Sequence, residues 1–245
     1  MNVLKNILGR IFAFWALVVF VVTMFIFFIP IWIISRQKEP GRTIRFHRVS
    51  KVWMRIFFFL SGIRIRVKGK QHFKKGENHI VVCNHNSMMD VPLTTPFIPG
   101  ANKTIAKIEM AKIPVFGVIY STGSVLVDRK NEESRKNSYV RMKEVLDMGL
   151  DMCIYPEGTR NKTAEPLQRF HNGAFRLAID TGKPILPAVI FNTSKVLPAN
   201  KTFFLWPVQI RMHFLEPVAV GSQTLEELKE KVFVMMRDYY VTNKD

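Results

Sequence analysis

Residues 11–34 form a run of 24 residues without a charged side chain, IFAFWALVVFVVTMFIFFIPIWII. As a helix rising about 1.5 Å per residue it reaches about 36 Å, against a bilayer hydrocarbon core of about 30 Å. Such a run has to be covered by lipid or by protein, and the rest of the fold must accommodate it. Its length, and the lack of a small-residue cleavage site before the charged sequence that follows, argue against a removable signal peptide. Both flanks are basic, with Lys5 and Arg10 before and Arg36 and Lys38 after, and Pro30 is expected to bend the helix. After a break at Pro40-Gly41, residues 43–60 read as a second helix. Phe46, Val49, Trp53, Ile56, Phe57 and Leu60 share one face, and Arg45, Arg48 and Arg55 fall largely elsewhere. A basic face opposite an aromatic one suits a helix lying in a membrane interface; the alternative is an amphipathic helix covering a protein core. If the first run spans, the excess of Lys and Arg after it places the following chain in the cytoplasm. A hairpin sunk in one leaflet accounts better for two basic flanks, a bend and an aromatic face. The expectation is therefore a monotopic protein, at the cytoplasmic face of a bacterial inner membrane, with residues 1–62 as a membrane-binding two-helix segment and 63–245 as one further domain.

That domain alternates short β-branched runs with helical patterns, which predicts an α/β fold with a mixed central sheet flanked by helices. Strands are expected over 63–67, 79–83, 104–107, 123–127, 152–155, 185–191 and 208–214. Helices are expected over 131–146 and 173–181, and a last helix is opened by the capping box Thr224-Leu225-Glu226-Glu227. Residues 112–120 read as a short helix or loop. Cys83 and Cys153 interrupt apolar runs and are expected as buried thiols, and no Cys/His spacing suggests a bound metal.

Chemistry is expected where residues 79–83 end. Cys83-Asn84-His85-Asn86-Ser87-Met88-Met89-Asp90 follows a strand, the position at which α/β folds place their sites. A carboxylate five residues after a histidine, across a turn, can hold one ring nitrogen and raise the basicity of the other. The spacing also arises readily by chance. Ser87 is a candidate nucleophile with nothing else to mark it. Lys107, Arg129 and Arg160 each follow a strand-like run; in one sheet their ends converge beside His85 and Asp90 as a site for phosphate or carboxylate. Gly158 lets backbone approach a ligand, and Glu157 could orient Arg160 or contact substrate. The plainer reading of each basic residue is a solvated surface charge.

Asn84-His85-Asn86-Ser87-Met88-Met89-Asp90, Asp128-Arg129, Tyr155-Pro156-Glu157-Gly158-Thr159-Arg160 and Leu186-Pro187-Ala188-Val189-Ile190 resemble, in order, the four motifs of the glycerolipid acyltransferase family. Lys107-Ile108-Glu109-Met110 resembles a further segment between the first two. The resemblance covers roughly residues 63–220; one departure is His171-Asn172 before Gly173-Ala174, where many members carry a lysine. It implies transfer of an acyl group from acyl-CoA or acyl-carrier-protein, as co-substrate and with no cofactor, to the 2-hydroxyl of lysophosphatidic acid. It implies His85 as general base with Asp90 as its partner. Arg129, Glu157, Gly158, Thr159 and Arg160 would bind the glycerophosphate, with Lys107 assisting. It also favours the N-terminal two-helix membrane motif.

The net charge of +17 points to a polyanionic partner, either an anionic phospholipid membrane, a phosphorylated substrate or nucleic acid. A nucleic-acid-binding protein would leave the apolar run unexplained and lacks an aromatic-basic motif, so no nucleic acid is expected. Acylation of glycerol 3-phosphate or another lyso-lipid, and a catalytically silent lipid-binding protein, remain as alternatives.

Overall fold

A computed structural model describes residues 3–244; Met1, Asn2 and Asp245, the outermost residues of the two expected segments, lie outside the described residues. Helix α1 (Val3–Ser35) continues through Pro30 and extends past the charge-free run at its N-terminal end. Small residues recur on its buried side, Gly9, Ala13 and Ala16, so neighbouring elements come close. Helix α2 (Gly41–Leu60) folds back along α1, with the Trp53 indole donating to Thr23 Oγ1 at 2.9 Å and the Trp15 indole to the Leu60 carbonyl at 2.8 Å. The aromatic face of α2 turns inward. Phe46, Trp53 and Phe57 are each 4% exposed, so the interfacial reading is corrected for the rings of that face, which pack on protein, while Ile56 and Leu60 of the same face stay exposed. The exposed apolar surface is instead the outer side of α1, including Ile11, Phe14, Phe25, Ile26 and Ile29, with Phe59 beside it on α2.

The chain then runs through β1 (Ile65–Lys68), β2 (Ile80–Cys83), α3 (Asp90–Phe97), β3 (Asn102–Lys107), α4 (Phe116–Thr122), β4 (Ser124–Val127), α5 (Glu132–Asp147), β5 (Asp151–Ile154), α6 (Gly173–Thr181), β6 (Ile185–Phe191), α7 (Thr193–Val196), β7 (Ile210–Phe214) and α8 (Leu225–Asn243). The seven strands form one sheet in the order β1-β7-β6-β2-β5-β3-β4. Strands β2 to β6 run parallel, β7 is antiparallel to β6, and β1 follows β7, so the sheet is mixed as expected. Strands β2, β5 and β6 are buried throughout, which is why they read as continuous rather than alternating apolar runs.

Successive side chains of a strand point to opposite faces. Val81 and Cys83 join a core with Phe46, Trp53 and Leu93, whereas Ile80 and Val82 join one with Met142, Phe175 and Leu228. Thus α1, α2 and α3 form the layer over one face, and α5, α6 and α8 the layer over the other. Glu39, between α1 and α2, ties the helix pair to β3 by an ion pair with the buried Lys103 at 2.9 Å. Burial alone would raise the Glu39 carboxyl, but hydrogen bonds from Lys103, Thr43 and Arg42 outweigh it and hold the group at about 2. The last helix opens on its capping box, Thr224 and Glu227 each bonding the other's backbone N–H. Cys83 and Cys153 are free, buried thiols 3.9 Å apart at sulfur.

Candidate functional site

Because β2, β5, β3 and β4 are parallel, the loops that follow them leave from the same edge of the sheet. Those loops carry His85, residues 158–160 and Arg129, and with Lys107 at the end of β3 they border one cavity of about 610 Å³. The cavity runs along β3 from Thr104 to Lys107. His85, Lys107, Arg129, Gly158, Thr159 and Arg160 line it at the strand ends, and Phe20, Phe46, Trp53 and Met54 of the helix pair line its apolar wall.

The His85 Nδ1 lies 2.8 Å from Asp90 Oδ2. Asp90 is fully buried in the first turn of α3, where the helix N-terminus favours a negative charge. The same oxygen accepts the N–H groups of Asn86 at 2.7 Å and Ser87 at 2.8 Å, which fixes the carboxylate in place. A carboxylate can only accept, so Nδ1 of His85 carries a proton toward Asp90, and the neutral tautomer this contact selects leaves the lone pair on Nε2. The imidazole rests on the Tyr155 ring at 4.5 Å between centroids, and the Tyr155 hydroxyl pairs with Thr94 at 2.7 Å. Burial holds the Tyr155 hydroxyl well above its ordinary value, so it stays neutral. Asn84 bridges the end of β2 to β6, giving its amide N–H to the Ile190 carbonyl at 3.0 Å and accepting the Ile190 N–H at 2.7 Å.

Ser87 is absent from the cavity lining. Its hydroxyl donates to the Leu197 carbonyl at 2.9 Å, so its proton is committed to the protein. Lys107 and Arg160 line the cavity with no ion pair to another side chain among the described residues. The Arg129 guanidinium donates to the Gly158 carbonyl. Gly158 has φ +68°, a conformation that favours glycine, and a Cβ there would lie 2.8 Å from the ring of the exposed His171, which would have to move aside. Thr159 is exposed at the rim. The structure does not bring Glu157 to the cavity: it is 2% exposed, outside the lining, and bonded to neither Arg160 nor Arg129. Its Oε1 accepts the His85 N–H at 2.8 Å and its Oε2 the Gln168 N–H at 2.9 Å. Burial pushes the Glu157 carboxyl up, to about 7, against those two donors. Among the described residues no group of His, Cys, Asp and Glu could hold a metal ion.

Sequence reasoning did not single out Tyr155 as the platform under His85, the Asn84 bridge, or the share of α1 and α2 in the cavity wall. Tyr155 and Asn84 carry a weak signal, since each ends a strand next to a polar motif. The rings of α2 carry none, because the same stripe serves lipid or core.

The family model described as Acyltransferase matches residues 64–191. A 1-acyl-sn-glycerol-3-phosphate acyltransferase of Helicobacter pylori is 30% identical over 187 residues, 75% of this chain and 76% of the relative. The 1-acyl-sn-glycerol-3-phosphate acyltransferase alpha of Homo sapiens is 29% identical over 205 residues, 83% of this chain and 72% of the relative. The crystal structure of the 1-acyl-sn-glycerophosphate (LPA) acyltransferase from Thermotoga maritima superposes with a TM-score of 0.78 at 23% identity, covering 100% of this chain and 99% of that one, which establishes a shared fold including the helix pair. The matched segment takes in more than half of the sequence, from β1 to the end of β6 and with it every residue of the His85 site, and the chain belongs to the acyltransferase family.

Proposed function

We propose that the protein transfers a fatty acyl group from an acyl-CoA or acyl-carrier-protein thioester to the 2-hydroxyl of 1-acyl-sn-glycerol 3-phosphate, forming phosphatidic acid in phospholipid biosynthesis. The observation that carries this reading is His85, its Nδ1 held by Asp90 at 2.8 Å, opening on a cavity bordered by Lys107 and Arg160 and walled by apolar rings. Nε2 of His85 takes the hydroxyl proton as the acceptor oxygen bonds to the thioester carbonyl carbon. The tetrahedral intermediate expels the thiolate, and the imidazolium, stabilised by Asp90, returns the proton to sulfur. The thioester is already activated, so positioning and proton transfer suffice and no covalent acyl-enzyme is needed. Lys107, Arg129 and Arg160 hold the acceptor phosphate, with Gly158 and Thr159 giving it close approach. The names of the H. pylori and human relatives support lysophosphatidic acid over glycerol 3-phosphate as acceptor. The test is incubation of purified protein with a labelled acyl thioester and either acceptor, followed by separation of the lipid products. Labelled phosphatidic acid from lysophosphatidic acid is expected; product from glycerol 3-phosphate alone would refute the assignment.

The same reading makes the protein monotopic on an anionic membrane. Helix α1, with 33 residues, is about 50 Å long and could cross a bilayer on length alone. Yet it is fastened to the protein along its course: the Leu205 N–H donates to the Gly9 carbonyl at 3.0 Å, Thr23 bonds Trp53, and Ile31 is fully buried. A helix held at Gly9 and again at Ile31 offers lipid one long side and not its whole circumference. A single cysteine at Val3, in a variant lacking Cys83 and Cys153, should resist an impermeant thiol reagent applied to right-side-out spheroplasts and react once the membrane is opened. Reaction before opening would mean that α1 crosses.

A further inference from the structure

Glu157 lies within the Tyr155–Arg160 motif, yet it does not face the cavity. Its two oxygens are occupied by two backbone donors from different segments, His85 N–H at 2.8 Å and Gln168 N–H at 2.9 Å. The 157–168 loop reaches His85 a second time, because the Asn161 N–H donates to the His85 carbonyl at 2.6 Å. The loop closes on itself through the Gln168 side-chain N–H donating to Asn161 Oδ1 at 3.3 Å, and Asn161 Oδ1 also accepts the Thr163 N–H at 2.9 Å. A ring of hydrogen bonds therefore runs from His85 N–H to Glu157, to Gln168, to Asn161 and back to the His85 carbonyl. With Nδ1 held by Asp90, the residue is fastened at its N–H, its carbonyl and its ring.

We propose that Glu157 is a positioning residue for His85 and not a ligand of the acceptor phosphate: it locks the main chain that carries the base. This rests on the acyl-transfer reading above. Two physical facts separate the roles. Glu157 is buried outside the cavity with both oxygens already accepting backbone N–H groups, so it is not placed to meet a phosphate there. A side chain that must accept from two N–H groups pointing at it from opposite segments has to be a carboxylate of this length. Glutamine turns an NH₂ toward one of the two donors, and aspartate is a methylene too short to reach both.

The experiment is steady-state kinetics of the full chain with lysophosphatidic acid and with monoacylglycerol, comparing wild type with Glu157→Gln. A misplacement of about 1 Å at a reacting group costs about a hundredfold, so Glu157→Gln should lower kcat by about ten- to a hundredfold, leave KM for lysophosphatidic acid within about threefold, and lower turnover of monoacylglycerol by the same factor. A phosphate ligand would behave in the opposite way. A raised KM for lysophosphatidic acid with kcat retained, and monoacylglycerol turnover unchanged, would overturn the proposal. If Glu157→Gln does not fold, as judged by circular dichroism, Asn161→Ala loosens the other half of the ring and carries the same test. A fall in kcat at constant KM supports the clamp, and any other pattern overturns it. Wild-type transfer to lysophosphatidic acid is the control. Its absence would refute the acyl-transfer reading, whereas normal wild-type transfer with a raised KM in the variants would refute only the role of Glu157.

Discussion

The two ends of the cavity are fastened by different forces. At the strand ends, polar contacts fix direction: His85 is gripped at N–H, carbonyl and Nδ1, and Arg129 reaches the Gly158 carbonyl. Along the helix pair, rings fix volume. Phe20 and Phe27 stack on Trp53 at 5.6 Å and 6.1 Å, and Gly123 leaves the space that Phe46 fills, since a Cβ there would lie 2.4 Å from the ring. Hydrogen bonds are directional and lose their value over a few tenths of an ångström, whereas apolar packing answers mainly to space. Proton transfer needs the first kind of wall, and a flexible acyl chain needs only the second. Substitutions should therefore change rate by orders of magnitude at the strand ends and selectivity by small factors at the helix pair.

The largest effect is expected at His85. His85→Ala should lower transfer by about 10²–10⁴-fold with the fold retained, because loss of a general base costs that much, while among the described residues the His85 side chain hydrogen-bonds only Asp90. Asp90→Asn should also be severe, since an amide cannot both fix the Nδ1–H tautomer and stabilise the imidazolium. An inactive Ser87→Ala beside an active His85→Ala would reverse the assignment. Next comes the phosphate grip. If Arg160 holds the acceptor phosphate as proposed, Arg160→Ala removes a charge-assisted hydrogen bond of about 1.5–3 kcal/mol and should weaken use of lysophosphatidic acid by about ten- to a hundredfold. Lys at 160 should rescue only in part if the grip is bidentate. Equal loss on monoacylglycerol would show that Arg160 does not read phosphate. The smallest effect is expected at the apolar end. Gly123→Ala forces the Phe46 ring from its place, at a cost of about 1–3 kcal/mol of stability. It should shift preference toward shorter acyl chains by a fewfold without a large change in kcat. A collapse of kcat with every chain length would mean that the two ends are not separable.

What was legible in the sequence divides along the same line. Helix α6 and strand β6 occupy the residues expected of them, 173–181 and 185–191, and the Thr224 capping box opens α8 as expected. Local chemistry decides these features, so local sequence reports them. The convergence of Lys107, Arg129 and Arg160 beside His85 follows from parallel strands ending at one edge, which alternating strands and helices already imply. The inward turn of Phe46, Trp53 and Phe57 was not legible, because hydrophobicity is the same toward lipid and toward protein. Nor was the placement of Glu157. A carboxylate in a loop announces a charge, but its two partners, His85 and Gln168, are 72 and 11 residues away in the chain and are backbone groups that every residue type but proline carries.

In the proposed reaction the strand-end wall reads the acceptor's phosphate while His85 takes its hydroxyl proton. The most direct measurement is competition: equimolar lysophosphatidic acid and monoacylglycerol offered to the wild-type protein with one labelled acyl thioester. Labelled phosphatidic acid should exceed labelled diacylglycerol by at least about ten- to a hundredfold, the factor that a single charge-assisted hydrogen bond supplies. Equal labelling of the two products would contradict it.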